Sequence, residues 1–208
     1  MSSITLVRIL FLALFIILSL NGKMMLWLML FALSLVLAFI FGRVYCGYIC
    51  PLNTLMIPVD SLSKKLKIQT NKIPKWLSYE KLPWIFLVLS IAIMILGKKV
   101  FHKNIPILLI WLVVSLLVAL RYKPAIFHNF ICPFGVLQKV SAKLTRFSKS
   151  VNEQNCIGCR LCEKVCPSEA ISVNNKTKKA LINTEFCFQC TNCEKVCPQK
   201  AIQYSKIG

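Results

Sequence analysis

Acidic residues are scarce in this chain. Seven Asp and Glu stand against 26 Lys and Arg, which gives the 208 residues a formal net charge of +19. Charged residues of both signs make up only 16%, while 57% are hydrophobic. A mean hydropathy of +0.67 is too apolar for an ordinary soluble protein and indicates a membrane class. No stretch resembles G-x-G-x-x-G, a P-loop or C-x-x-C-H, so bound NAD, nucleotide hydrolysis and covalent c-type haem lack sequence support. The apolar runs carry almost no charge between their ends, which argues against a transporter. The basic residues flank those runs, so anionic lipid and topology explain them better than nucleic acid does. An acidic redox partner is a second use for such charge.

What the chain does have is cysteine, eleven in all. Eight fall in two groups: Cys156, Cys159, Cys162 and Cys166, then Cys187, Cys190, Cys193 and Cys197. Each group reads C-x2-C-x2-C-x3-C-P, closing on Pro167 or Pro198. This spacing holds [4Fe–4S] clusters in two-cluster bacterial ferredoxins, where the fourth cysteine of each group ligates the other cluster. The expected sets are Cys156, Cys159, Cys162 and Cys197 for the first cluster, and Cys187, Cys190, Cys193 and Cys166 for the second. Structural zinc would more often use separated C-x2-C pairs, and a disulfide framework does not explain the duplicated quartet. From about Val151 to the end the chain resembles the bacterial two-[4Fe–4S] ferredoxins, which implies one-electron transfer.

The rest of the chain is organised by four apolar runs, Ile4–Leu20, Met24–Phe41, Pro83–Leu96 and Ile105–Leu120. No small-residue cleavage site follows the first, so it reads as a membrane helix rather than a signal peptide. The third is short enough to be re-entrant, unless Lys98 and Lys99 snorkel and Phe101 extends it. The expected fold is a membrane α-helical part with four transmembrane helices as two repeated hairpins, residues 1–146. A small α+β two-[4Fe–4S] ferredoxin-like domain, residues 147–208, would follow. Lysine and arginine crowd the segment between runs two and three, and the segment after run four. By the positive-inside rule this is a multi-pass protein of the cytoplasmic membrane, with both termini and the ferredoxin domain in the cytoplasm. Trp76, Tyr79 and Trp84 would lie at the inner interface.

The membrane part is also duplicated. Run two leads into Cys46-x3-Cys50-Pro51, and run four into His128-x3-Cys132-Pro133. Amphipathic stretches follow both, with Pro58 interrupting the first; a solvated basic linker is the plainer alternative there. Aligning the Cys-Pro pairs places Cys46 on His128 and Cys50 on Cys132. These four residues are candidate ligands of a third iron–sulfur cluster at the membrane boundary. The alternatives are packing of the repeat interface, a [2Fe–2S] centre or another metal. Arg43 and Arg121 could offset the negative charge of such a cluster, though topology explains both. His102, on the lysine-rich outer loop, reads as structural.

The motif from Gly42 to Pro51 resembles the C-x3-C-P signature of membrane polyferredoxins. These include NapH- and NosR-like accessory proteins of periplasmic nitrate reductase and nitrous oxide reductase systems. The resemblance covers nearly the whole chain, with His128 standing where a cysteine is usual and no added flavin-binding domain. It implies electron flow between the quinone pool or cytoplasmic donors and partner enzymes. Three roles remain open: a membrane-anchored electron carrier, a quinone-reactive subunit of an oxidoreductase, and a redox-sensing or maturation accessory protein. Membrane lipid, redox proteins and quinone are the expected partners. No nucleic acid is expected.

Overall fold

The computed structural model describes residues 3–70, 74, 77, 79–100 and 105–207. The expectations for Trp76, Phe101 and His102, and for Lys72, Lys75 and Lys103, lie outside the described residues. Within them run α1 (Ser3–Leu20), α2 (Met24–Phe41), α3 (Pro51–Lys65), α4 (Leu82–Val100), α5 (Ile107–Arg121), α6 (Pro124–Ile126) and α7 (Pro133–Ala142). Five-residue π-turns, Tyr45–Ile49 and Phe127–Ile131, precede α3 and α7. The C-terminal part holds β1 (Phe147–Val151), α8 (Leu161–Val165), β2 (Ile171–Val173), β3 (Ala180–Ile182), α9 (Asn192–Val196) and β4 (Ile202–Lys206).

Two helices, α2 and α4, are long and apolar enough to cross a membrane, while the apolar stretches Ile4–Leu20 and Ile107–Arg121 are shorter. Only 22% of α2 and 17% of α4 is buried. A core helix of a soluble protein buries its apolar stripe, so these largely uncovered faces suit lipid instead. The third run, doubtful at 14 residues in sequence, extends to Val100 and becomes a 19-residue helix. Its length, about 28 Å at 1.5 Å per residue, approaches a hydrocarbon core of about 30 Å. The amphipathic stretch at Pro51–Lys65 is a continuous helix through Pro58 rather than a solvated linker.

The chain forms two compact units, residues 1–27 with 49–137, and residues 28–48 with 138–208. In the first, α3 turns Leu52, Met56 and Ser63 inward and packs along α5. Its last turn is fixed where Ser63 Oγ donates to the Leu120 carbonyl at 2.5 Å. Trp111 on α5 meets Phe86 of α4 edge-on at 5.3 Å and donates its indole N–H to Ser90 Oγ at 2.9 Å. Arg121 does not approach the cysteine motif. It is exposed and donates to the Ile68 carbonyl at 2.8 Å, tying down the linker after α3.

In the second unit β1 pairs antiparallel with β4, and β2 with β3. Ile171, Val173, Ala180 and Ile202 form its core together with Cys162 and Cys193. So small a domain buries little apolar surface, and its sulfurs fill part of that core. The last turns of α2 join the same unit: Gln138 Nε2 donates to Ser34 Oγ at 2.7 Å, and Thr145 Oγ1 to the Ile40 carbonyl at 3.1 Å.

Ser90 gives a test of helix packing in the first unit. Ser90→Ala leaves the Trp111 indole N–H buried without its acceptor and should cost about 1–2 kcal/mol. Ser90→Thr should restore most of it. Thermal unfolding of the detergent-solubilised protein, followed by tryptophan fluorescence, measures both.

Candidate iron–sulfur sites

The two C-terminal motifs repeat in backbone as well as in sequence. Cys166 and Cys197 hold φ, ψ of −75°, 111° and −78°, 110°. Proline in the next position disfavours the helical alternative. Three residues on, Glu169 and Lys200 both adopt left-handed backbone, with φ of 53° and 48°. That turn aims the next amide back at the sulfur: Ala170 N lies 3.3 Å from Cys166 Sγ, and Ala201 N lies 3.3 Å from Cys197 Sγ. An amide donor on a metal-bound sulfur stabilises its negative charge.

Cys156, Cys159, Cys162 and Cys197 line one cavity, enclosing about 380 Å³ of empty space with its open mouth. Cys166 does not line it, although it belongs to the first motif. Cys166 instead stands within electrostatic reach of Cys187 and Cys193. Burial pushes the Cys187 and Cys193 thiols up to about 12, and their sulfur neighbours add to the rise. Burial raises Cys162 as well. Without metal these sulfurs hold their protons at neutral pH, and ligation must displace them. Among the described residues no three His, Cys, Asp or Glu side chains stand close enough to hold a single ion. A cubane has its thiolates on four separate irons and asks for wider spacing than tetrahedral zinc, with Zn–S of about 2.3 Å. The residues fit a cluster.

The two motifs nearer the N-terminus share a second conformation. Cys50 and Cys132 have φ, ψ of −63°, 118° and −64°, 116°, each between a π-turn and a helix opened by proline. Cys46 and His128 are both the second residue of their π-turn. All four are buried, at 4%, 4%, 2% and 2% exposure for Cys46, Cys50, Cys132 and His128. Cys50, Cys132 and His128 belong to the first compact unit and Cys46 to the second. Gly135 N approaches Cys132 Sγ at 3.3 Å, so this sulfur too receives an amide.

Three residues beyond the sulfurs emerge from the structure. Gln189 sits inside the Cys187–Cys190 loop with a left-handed φ of 57°, where the first motif has Gly158 at 70°. Its side chain donates to Ser148 Oγ at 2.6 Å and accepts from Lys149 N at 3.2 Å. These bonds offset a conformation that non-glycine residues avoid. Gly47 packs against the same loop so closely that an added Cβ would overlap the Phe188 carbonyl oxygen. Tyr48 O–H donates to the Gln189 carbonyl at 3.1 Å. Arg43 is fully buried beside them. The unequal Gly158 and Gln189 in otherwise matching loops were the signal available in sequence.

Comparison with known proteins finds iron–sulfur families along the chain. A family described as a 4Fe-4S binding domain matches twice, over residues 24–69 and 104–152, once for each π-turn motif. A 4Fe-4S dicluster domain matches residues 155–201. Among curated proteins, an uncharacterized protein of Methanocaldococcus jannaschii is 35% identical over 66% of this chain and 56% of its own length. The ferredoxin-type protein NapH of Haemophilus influenzae is 30% identical over 62% of this chain and 49% of its own. YccM of Escherichia coli, provisionally named an electron transport protein, is 26% identical over 64% and 44%. The chain thus spans about half the length of the curated relatives it matches. No solved structure matches. The sites and these matches define a 4Fe–4S protein. The chain is similar to ferredoxin-type electron transport proteins such as NapH and YccM, and the matches support a polyferredoxin.

Gly158 separates the two C-terminal sites experimentally. A Cβ there would overlap the Lys178 carbonyl oxygen, in backbone that side chains rarely adopt. Gly158→Ala should therefore disturb the cavity of Cys156, Cys159 and Cys162 and spare the Cys187 loop. Iron analysis after anaerobic purification should show a loss of roughly four irons per chain.

Proposed function

We propose that this chain is a membrane-anchored electron-transfer protein that passes single electrons between a membrane or cytoplasmic donor and a partner redox enzyme. The observation that carries the proposal is the cavity lined by Cys156, Cys159, Cys162 and Cys197, with Cys166 set apart among the sulfurs of the other motif. Bound [4Fe–4S] clusters supply one-electron oxidation and reduction. Cys156, Cys159, Cys162 and Cys197 hold one such cluster, and Cys187, Cys190, Cys193 and Cys166 the other. Cys159 is exposed, which suits exchange with a soluble protein at that end of the domain. Cys187, Cys190 and Cys193 are buried, which keeps water from the second site.

Residues 1–146 form the membrane part in this reading and residues 147–208 the ferredoxin domain. Cys46, Cys50, Cys132 and His128 hold a third cluster at the membrane boundary. Its support is the repeated π-turn, the matching Cys50 and Cys132 backbones, and the family match over each repeat. Quinol is the donor class that a boundary site could serve, and similarity to a ferredoxin-type protein and a provisionally named electron transport protein supports a redox partner.

Two measurements test the reading. Iron and acid-labile sulfide should each approach about twelve per chain for three cubanes, against about eight for two. Joint replacement of Cys46, Cys50 and Cys132 should remove the difference; a value near eight that this leaves unchanged would discard the third site. The basic excess places both termini in the cytoplasm. A phosphatase fused after residue 208, active only when exported, should be silent there, and a fluorescent reporter that matures only inside should be bright.

A further inference from the structure

Arg43 is buried to 0% exposure. Arginine keeps its proton in proteins, so a full positive charge sits out of water here. Nη1 donates to the Glu185 carbonyl at 3.2 Å, and Nη2 lies 3.7 Å from Cys46 Sγ. The guanidinium carbon stands 5.0 Å from the centre of the Phe188 ring. None of these is a carboxylate, and Nε has no hydrogen-bond partner. The neighbouring buried cation is handled differently: Lys149 Nζ meets Glu194 Oε1 at 2.5 Å. An isolated buried cation is costly unless an anion offsets it. Sulfur chemistry flanks Arg43 on both sides, with Cys46 on one and the loop that carries Cys187 and Cys190 on the other. Gly47 against the Phe188 carbonyl, and Tyr48 on the Gln189 carbonyl, hold that loop in place.

We propose that Arg43 is the counter-charge of the second ferredoxin site, a positioning residue that raises the reduction potential of a cluster held by Cys187, Cys190, Cys193 and Cys166. This rests on the two-cluster reading above. Reduction adds one negative charge to that site, and a fixed cation a few ångströms from its loop lowers the energy of the added charge. The Cys156 site has no fully buried cation among the described residues: Lys179, half-buried, donates to the Cys156 carbonyl at 2.6 Å from partly solvated surroundings. Its nearby Arg160 is exposed and hydrogen-bonded to Asn175, where water screens it. The consequence is directional. Of the two C-terminal sites, the one that packs against the Cys46 segment is the easier to reduce.

The experiment is an EPR-monitored redox titration of the full-length protein, purified anaerobically with its native iron. Cys187→Ser identifies the signal of the second site, and Gly158→Ala that of the Cys156 site. Arg43→Gln should make reduction of the second centre at least tenfold less favourable, about 59 mV for a one-electron couple. The Cys156 centre should stay within threefold of wild type. Arg43→Lys keeps a cation, so at neutral pH its second centre should be displaced less than in Arg43→Gln. If Arg43→Gln fails to load iron, Arg43→Met takes its place with the same expected shift. Equal shifts in the second and Cys156 centres, no shift in either, or a lysine variant displaced as far as the glutamine one would overturn the assignment. Wild-type protein lacking any such centre would overturn the two-cluster reading and this inference with it. Normal wild-type centres indifferent to Arg43 would overturn the inference alone.

Discussion

Proline disfavours helical backbone in the residue before it, although helix packing overrides this at Ile57 before Pro58. Four cysteines in this chain stand in that position, and all four take one extended conformation, with ψ between 110° and 118°. In the membrane repeats the constraint ends a π-turn and lets proline open the next helix, where its missing N–H costs nothing. In the ferredoxin repeats it ends a five-residue helix and leads into a left-handed turn. The outcome at each sulfur is alike. The thiol leaves the helical path, and at Cys132, Cys166 and Cys197 a nearby amide points back at it. Helix boundaries, ligand presentation and sulfur hydrogen bonding thus depend on one local steric rule applied four times.

Features governed by such local rules were legible in sequence. Cysteine spacing was enough to recognise two 4Fe-4S motifs, because such loops are short and proline limits their paths. The duplicated membrane motif was legible for the same reason, down to the correspondence of Cys46 with His128. Long-range requirements were not. Nothing near Gln189 in the chain explains a left-handed glutamine; the explanation is Ser148 and Lys149, some forty residues away. Gly47 looks like an ordinary turn residue until the Phe188 carbonyl is found against it. The apolar spacing after Cys50 suited a helix at Pro51–Lys65, although Pro58 removes one backbone bond there. Packing of Leu52, Met56 and Ser63 along α5 keeps the helix intact.

Charge shows the same division. Counting lysines and arginines treats Arg43 and Arg121 alike, since each follows an apolar run. Their surroundings separate them. Arg121 is exposed and bonded to a linker carbonyl, as a topology determinant can be. Arg43 is fully buried, and its hydrogen-bond partners among the described residues are a backbone carbonyl and a sulfur; a membrane-sorting signal needs neither condition.

In the absence of metal, several features of the second unit break rules that folded proteins keep. Cys187 and Cys193 are buried deeply enough to raise their thiols to about 12, the Gln189 backbone is strained, and Arg43 has no carboxylate partner. A sequence that violates local preferences in one place does so where function demands it. One ligand would relieve the electrostatic faults together. Iron ligation would replace the protons of the buried thiols, and the negative charge of a cluster there would fall near the Arg43 guanidinium. The strained Gln189 has a separate reason, since its side chain anchors β1 to the loop while its carbonyl receives Tyr48. A site assembled this way would gain stability from its cofactor, which would link folding of the domain to its loading.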